Sequence, residues 1–220
     1  HTWFLLDRSG SMSALHDAVV DGFNEFLSGQ KAKDGAALRL TVVQFDDQDP
    51  HEVVVAAAPL AELGPLRSDQ FQPRGMTPLY DAIGRMIAAA EHEVATRAEW
   101  GLPAEDVVVV IFTDGLENAS REWDHRRIFD RIKAKQDEAW TFVFLGANQD
   151  SYDTTRHMGV RATHTSNFAA SPVGVAAAFD SVDRSVASYR AKPRRARQAQ
   201  REDWFEGVKE AEQTEDGHPR

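Results

Sequence analysis

Hydrophobic positions along this chain follow two alternating rhythms. Short, nearly unbroken apolar runs recur, and each is followed by a longer segment whose apolar residues return at helical spacing. Thr2 to Asp7 ("TWFLLD") reads as a short buried strand. From Ala14 to Leu27, the residues Leu15, Val19, Phe23, Phe26 and Leu27 share one face of an amphipathic helix. "LRLTVVQF" (Leu38 to Phe45) and "HEVVVAA" (His51 to Ala57) read as strands, and the turn "DDQDP" between them predicts a hairpin. Thr77 and Pro78 precede a long helix, Leu79 to about Arg97, and read as an N-cap followed by proline at the first helical position. "DVVVVIF" (Asp106 to Phe112) is the most apolar segment and predicts a central parallel strand covered on both faces. Helical spacing resumes from about Arg121 to Glu138, and "WTFVFLG" (Trp140 to Gly146) is a further strand. Ser151 to His157 predicts a short helix and Ala162 to Thr165 a final short strand. Ser171 to Tyr189 is a helix with Ser171 as cap and Pro172 at its first position.

Strand and helix alternate throughout, which predicts an α/β fold with a mainly parallel sheet. Such sheets bind ligands beyond the carboxyl ends of their strands, where the strand order reverses. The first strand ends at Asp7 and the most apolar one at Thr113–Asp114. If those two strands flank the reversal, both aspartates share one rim. No internal repeat is visible. From Lys192 the composition changes to "KPRRARQAQRED", so the expected organisation is one domain over 1–190 and a charged extension over 191–220. Trp204, Phe205, Val208 and Ala211 would share one face of an amphipathic helix in that extension.

Composition narrows the chemistry. The 220 residues include no cysteine, which excludes disulfides, thiolate metal sites and cysteine nucleophiles and is compatible with a cytoplasmic setting. No apolar run approaches the ~20 residues needed to span a membrane. The formal net charge is −10, which argues against nonspecific nucleic-acid binding and suits either cation binding or simple solubility. Arginine outnumbers lysine nineteen to six, which points to a GC-rich, bacterial genome.

The stretch "WFLLDRSGSMS" (Trp3 to Ser13) concentrates the candidate chemistry: one carboxylate, then several hydroxyls around a glycine. A phosphate-binding loop would need G-x-x-x-x-G-K-[ST], yet the first lysine is Lys31 and no G-x-G-x-x-G follows the strand. A nucleophilic aspartate of the haloacid-dehalogenase type would need a second acid two residues on, where this chain has Ser9. A divalent cation suits the residues better. Mg²⁺ takes six oxygen ligands, and Gly10 lets the backbone bend so that Asp7, Ser9 and Ser11 converge. Local roles compete: Thr77 can cap its helix, Asp114 can stabilise its turn, and Ser13 is the best candidate cap of the first helix.

"DRSGS" resembles the D-x-S-x-S signature of von Willebrand factor type A domains, their metal-ion-dependent adhesion site. "RGMTPLYDAIG" and "VVVVIFTDG" match that family's later threonine and its T-D-G turn, in the same order and on the same elements. The resemblance covers roughly residues 2 to 190. It implies a Rossmann-like three-layer αβα sandwich with a six-stranded, mainly parallel sheet and one antiparallel edge strand. It implies Mg²⁺ (or Mn²⁺, or Ca²⁺) held by Asp7, Ser9, Ser11, Thr77 and Asp114, some through water, with the shell completed by an Asp or Glu from a protein partner. Asp81, Asp46, Glu117, Asn118, Asn148 and Asp150 are then expected behind the site or along the rim where the partner docks. The expected function is noncatalytic protein binding, with no nucleic acid and no membrane. The chain is similar to small intracellular bacterial members linked to chemical stress or to ATPase partners. The alternatives are a metal-dependent phosphatase-like hydrolase and a scaffold whose site is empty or structural.

Overall fold

Burial on both faces is what makes the central strands so uniformly apolar. In the computed structural model, which describes residues 1–33, 38–147, 151–199 and 204–205, every residue of β1 (Thr2–Asp7), β4 (Val108–Thr113) and β5 (Thr141–Ala147) is buried. With β2 (Arg39–Phe45), β3 (Glu52–Pro59) and β6 (Thr165–Phe168) they form one sheet in the order β3-β2-β1-β4-β5-β6. All neighbours are parallel except β3, which closes the predicted hairpin by running antiparallel to β2 at the edge.

The pleat sends alternate residues of β1 to opposite layers. Phe4 and Leu6 enter a core with α1 (His16–Ala32) and α5 (Pro172–Ala191), where the Phe4 ring lies 5.4 Å from Phe23 and 5.0 Å from Phe26. Trp3 and Leu5 enter a second core with α2 (Leu79–Glu99) and α3 (His125–Asp137), built on Ile83, Met86, Ile87, Ile128 and Ile132. Helices thus cover both faces, giving the expected αβα sandwich. Met158 of α4 (Ser151–Met158) joins the second core. After α5 come a short α6 (Arg194–Ala199) and the buried pair Trp204 and Phe205, with Trp204 against Tyr189 and His164. Val208 and Ala211 lie outside the described residues. Among the described residues no helix is long and apolar enough to cross a membrane.

Several expected boundaries move, each for a physical reason. A 3-10 turn, Gly10–Leu15, precedes α1, and Ser13 donates to the Gly10 carbonyl instead of capping the helix. The third helix begins at His125, capped by Asp124, because the backbone of 121–123 is bound elsewhere. Residues Ala162–His164 form a 3-10 turn, and β6 starts at Thr165, where pairing with Phe144 of β5 becomes available. Ser171 caps α5 as expected, accepting from the Gly174 N–H.

Candidate metal centre

The strand order reverses between β1 and β4, and their register sets Leu6 beside Phe112. The next residues, Asp7 and Thr113, therefore meet at the carboxyl edge of the sheet. Thr113 Oγ1 donates to Asp7 Oδ2 at 2.5 Å, and the Ser9 N–H donates to Asp7 Oδ1 at 2.7 Å. Ser9 and Ser11 hydroxyls lie 3.1 Å apart, and Ser11 Oγ donates to Asp114 Oδ1 at 2.6 Å. Gly115 completes the cradle: a β-carbon there would stand 2.8 Å from Thr77 Oγ1 and 3.6 Å from Asp7 Oδ2. Ser9, Ser11 and Asp114 are thus linked through their side chains, and Asp7 and Thr77 both approach Gly115. Asp7, Ser9 and Thr77 are buried, Asp114 is half-buried and Ser11 is exposed, so the cluster opens to solvent on the Ser11–Asp114 side.

The electrostatics of the cluster are those of two partly desolvated acids. Burial pushes the Asp7 carboxyl up to about 6, against the opposing pull of its bonds from Thr113 and Ser9, and nearby Asp114 adds repulsion. Burial raises Asp114 as well, although Ser11 bonds to it. Two carboxylates close together, with hard neutral oxygens around them and no nitrogen or sulfur, match the ligand preferences of Mg²⁺ or Ca²⁺. Among the described residues no three His, Asp or Glu side chains cluster as a metal site; three of the five groups here are hydroxyls.

The Thr77 hydroxyl does not cap its helix, whose first turn is bonded from elsewhere. The sequence predicts Thr77 as N-cap, yet Pro78 occupies that position and no local side chain bonds the first turn. The Tyr80 N–H donates instead to Glu117 Oε2 at 2.9 Å, and the Asp81 N–H to Ser120 Oγ at 3.1 Å. In return Asp81 accepts the backbone N–H groups of Arg121, Glu122 and Trp123. Asn118 grips Thr77 at both backbone groups: its Oδ1 accepts the Thr77 N–H at 2.8 Å, and its own N–H donates to the Thr77 carbonyl at 3.1 Å. Asp81, Glu117 and Asn118 therefore lock the start of α2 to the loop after β4.

Asp46 lies behind the cluster, fully buried. It binds Arg8 Nε at 2.9 Å and Arg74 Nε at 2.8 Å, and accepts the N–H groups of Gln48 and Asp49. Burial alone would raise its pKa, but the bonds from Asp49, Arg74 and Gln48 and the charge of Arg8 outweigh that, and the carboxyl is held below its usual range. The Arg74 N–H donates to the Arg8 carbonyl, and the Gly10 N–H to the Gly75 carbonyl, so the loops carrying Ser9 and Thr77 are tied together. Asn148 and Asp150 lie outside the described residues.

Sequence reasoning assigned no role to Arg8, Arg74 or Gly75, and gave Thr113 and Gly115 only as parts of the T-D-G turn. Glycine at 75 and 115 was the only available signal. Gly75 has φ +66°, and a β-carbon there would lie 1.8 Å from Asp47 Oδ1, which accepts the Met76 N–H. Gly75→Ala is expected to cost about 1–3 kcal/mol in urea unfolding, by left-handed strain and loss of that bond. It should also weaken cation binding in a calorimetric titration, because Thr77 follows two residues later.

No family profile matches this sequence, and no curated protein matches it. Solved structures do match its fold. The vWF domain of the type V pili tip protein Mfa5 from Porphyromonas gingivalis is 12% identical with a TM-score of 0.59, covering 87% of this chain and 96% of that one. The pilus adhesin SpaC from Lactobacillus rhamnosus GG is 12% identical with a TM-score of 0.63, covering 84% of this chain and 30% of that one. Proximal thread matrix protein 1 from the mussel byssus is 15% identical with a TM-score of 0.58, covering 83% and 46%. A second structure of the mussel protein, with a TM-score of 0.57 and 14% identity, has a zinc-occupied MIDAS motif. This chain thus spans less than half the length of the mussel protein and of SpaC.

Proposed function

We propose, starting from the von Willebrand factor type A fold that this chain has, that it is a noncatalytic, metal-dependent protein-binding module. The reading is supported by the approach of Asp7 and Thr77 to Gly115 and by the linked side chains of Ser9, Ser11 and Asp114. Asp7 and Asp114 supply the negative charge, and the hydroxyls of Ser9, Ser11 and Thr77 supply neutral oxygens, some acting through water. A bound Mg²⁺, Mn²⁺ or Ca²⁺ left under-neutralised by that set supplies an open position for an Asp or Glu carboxylate of a protein partner. The net charge of −10 supports a protein partner over a nucleic acid. In this reading the module is a cytoplasmic adaptor, in keeping with the cysteine-free chain, and its partner belongs to a bacterial stress system or an ATPase assembly.

Isothermal titration with Mg²⁺ and Mn²⁺ tests the first step. The wild-type chain is expected to bind one ion per molecule, and Thr77→Ala to bind it at least about tenfold more weakly, a loss on the order of 1.4 kcal/mol. Absence of binding at millimolar metal would overturn the reading in favour of a structural scaffold.

A further inference from the structure

Three faces of α3 have different surroundings. Ile128 and Ile132 enter the core, and Arg131 and Lys135 pair with Glu91 of α2. The third face carries Phe129, Lys133, Gln136 and Asp137 at helical spacing and lines a cavity of about 430 Å³ shared with Arg156 and Arg161. Both α3 and α4 lead from the carboxyl edge of the parallel sheet back toward its amino edge, so the cavity lies at their far ends, away from Asp7. Its walls are fixed. The Arg161 carbonyl accepts the His164 N–H at 2.9 Å and Thr165 Oγ1 at 3.2 Å, and Gln136 Nε2 donates to the Gly159 carbonyl at 2.8 Å. Gly159, at φ +78°, brings the end of α4 against Phe129, where a β-carbon would stand 3.1 Å from ring Cδ2. The chain has 35 acids against 25 lysines and arginines, and Arg39, Arg85 and Arg97 each meet a glutamate. Yet among the described residues no carboxylate pairs with Lys133, Arg156 or Arg161, Asp137 of the same cavity included.

We propose that this cavity binds a small phosphomonoester carried on a hydroxylated scaffold. Two guanidinium groups and one ammonium supply the donors that a phosphate needs, each guanidinium being able to bond two of its oxygens. Part of the positive charge has a local use. Lys133 and Arg156 stand near the ends of α3 and α4, and each helix end carries about half a negative charge. Those two ends and Asp137 offset about two of the three cations, and Arg161, beyond α4, is the surplus. The cavity thus favours an anion over a cation. Asp137 accepts hydrogen bonds but repels a second charged group, which favours hydroxyls beside a single phosphate. Phe129 and Val160 give the carbon skeleton an apolar wall. The volume lies within the ~300–1,000 Å³ of small-molecule sites. The proposal is independent of the metal-bridging reading.

The test titrates the full chain by calorimetry with glucose-6-phosphate, AMP, inorganic phosphate and glucose. EDTA is present throughout, so that no cation bridges phosphate to Asp7. At least one ester is expected to bind, one per chain and at least about tenfold more tightly than inorganic phosphate, and glucose is not. Binding of glucose-6-phosphate alone assigns a sugar phosphate, binding of AMP alone a nucleotide, and binding of both a site that reads only phosphate and hydroxyls. Arg156→Ala/Arg161→Ala should bind the ester at least about tenfold more weakly and keep its melting temperature, because neither side chain bonds to the rest of the fold. Lys133→Glu, at an exposed helix position, should lose binding by charge reversal. Arg126→Ala, exposed on α3 outside the cavity, should bind as the wild type does. No binding of either ester at millimolar concentration, equal affinity for inorganic phosphate, unchanged binding in the cavity variants, or an equal loss in Arg126→Ala would overturn the site. Each of these results leaves the metal-bridging reading as it stands.

Discussion

Asp7→Asn is expected to abolish divalent-cation binding while making the metal-free protein more stable at neutral pH. The Asp7 carboxyl is fully buried and pushed up to about 6 from an ordinary value of 3.8. An acid whose pKa is raised on folding holds its proton more tightly in the folded state. Its favourable contribution is complete below the unfolded value and is lost as the pH rises from about 4 through about 6. Above that, the ionised carboxylate costs the metal-free fold on the order of 3 kcal/mol. The introduced amide escapes this cost. Its carbonyl can still accept the Ser9 N–H, and Thr113 can turn its hydroxyl proton to the Gly115 carbonyl, 3.1 Å away, and accept from the amide. Thermal melts in EDTA should therefore show the variant's advantage growing between pH 4 and pH 6 and then levelling off. With saturating Mg²⁺ the wild type should gain stability and the variant should not. Metal-dependent stabilisation of the variant, or equal metal-free stability of the two proteins at pH 7.5, would count against Asp7 as the central ligand.

Asp46→Ala should cost about 3–5 kcal/mol in urea unfolding, although Asp46 touches none of the five proposed ligands. Removing it leaves Arg8, 3% exposed, and Arg74 facing each other without their shared counter-charge, and Glu52, reached by both, is the remaining acid. The backbones of both arginines join the Ser9 loop to the Thr77 loop, so the variant should also lose at least about tenfold in Mn²⁺ affinity in calorimetry at temperatures where it remains folded. Asp46→Asn, which keeps an acceptor for the Gln48 and Asp49 N–H groups but not the charge, should fall between wild type and Asp46→Ala on both measures. Unfolding within about 1 kcal/mol of wild type would show that the ion cluster does not hold these loops.

Most of the layering was legible in the chain. "TWFLLD", "DVVVVIF" and "WTFVFLG" are apolar at every pleat because both sheet faces are covered, and the structure buries each of the three strands β1, β4 and β5 throughout. The turn "DDQDP" correctly marked β2 and β3 as an antiparallel pair. Reading failed where a local rule had a distant competitor. Thr-Pro before a helix is an N-cap signal, but the first turn of α2 takes its acceptors from Glu117 and Ser120, some forty positions on. Helical spacing from Arg121 looked continuous, but Asp81 draws the 121–123 backbone out of the helix. The last strand was placed early because "THTSNF" has no clear alternation to set its start.

The sequence by itself showed an aspartate with two hydroxyls, suited to a hard cation, after the first strand; Asp114 and Thr77 joined that candidate set through the family resemblance. Periodicity and turn residues are local signals, so they also pointed to an α/β fold with a mainly parallel sheet and to the hairpin, while the three-layer αβα arrangement came from the family resemblance. Only the tertiary structure decided that Ser11 meets Asp114 and that Thr113 stands against Asp7. The sheet order makes β1 and β4 neighbours although about a hundred positions separate them, and no local pattern specifies that pairing. It likewise decided which residues hold the others in place. A buried ion cluster such as Arg8–Asp46–Arg74 is stable only as a closed set, and its members carry no mark in the sequence until the fold brings them together.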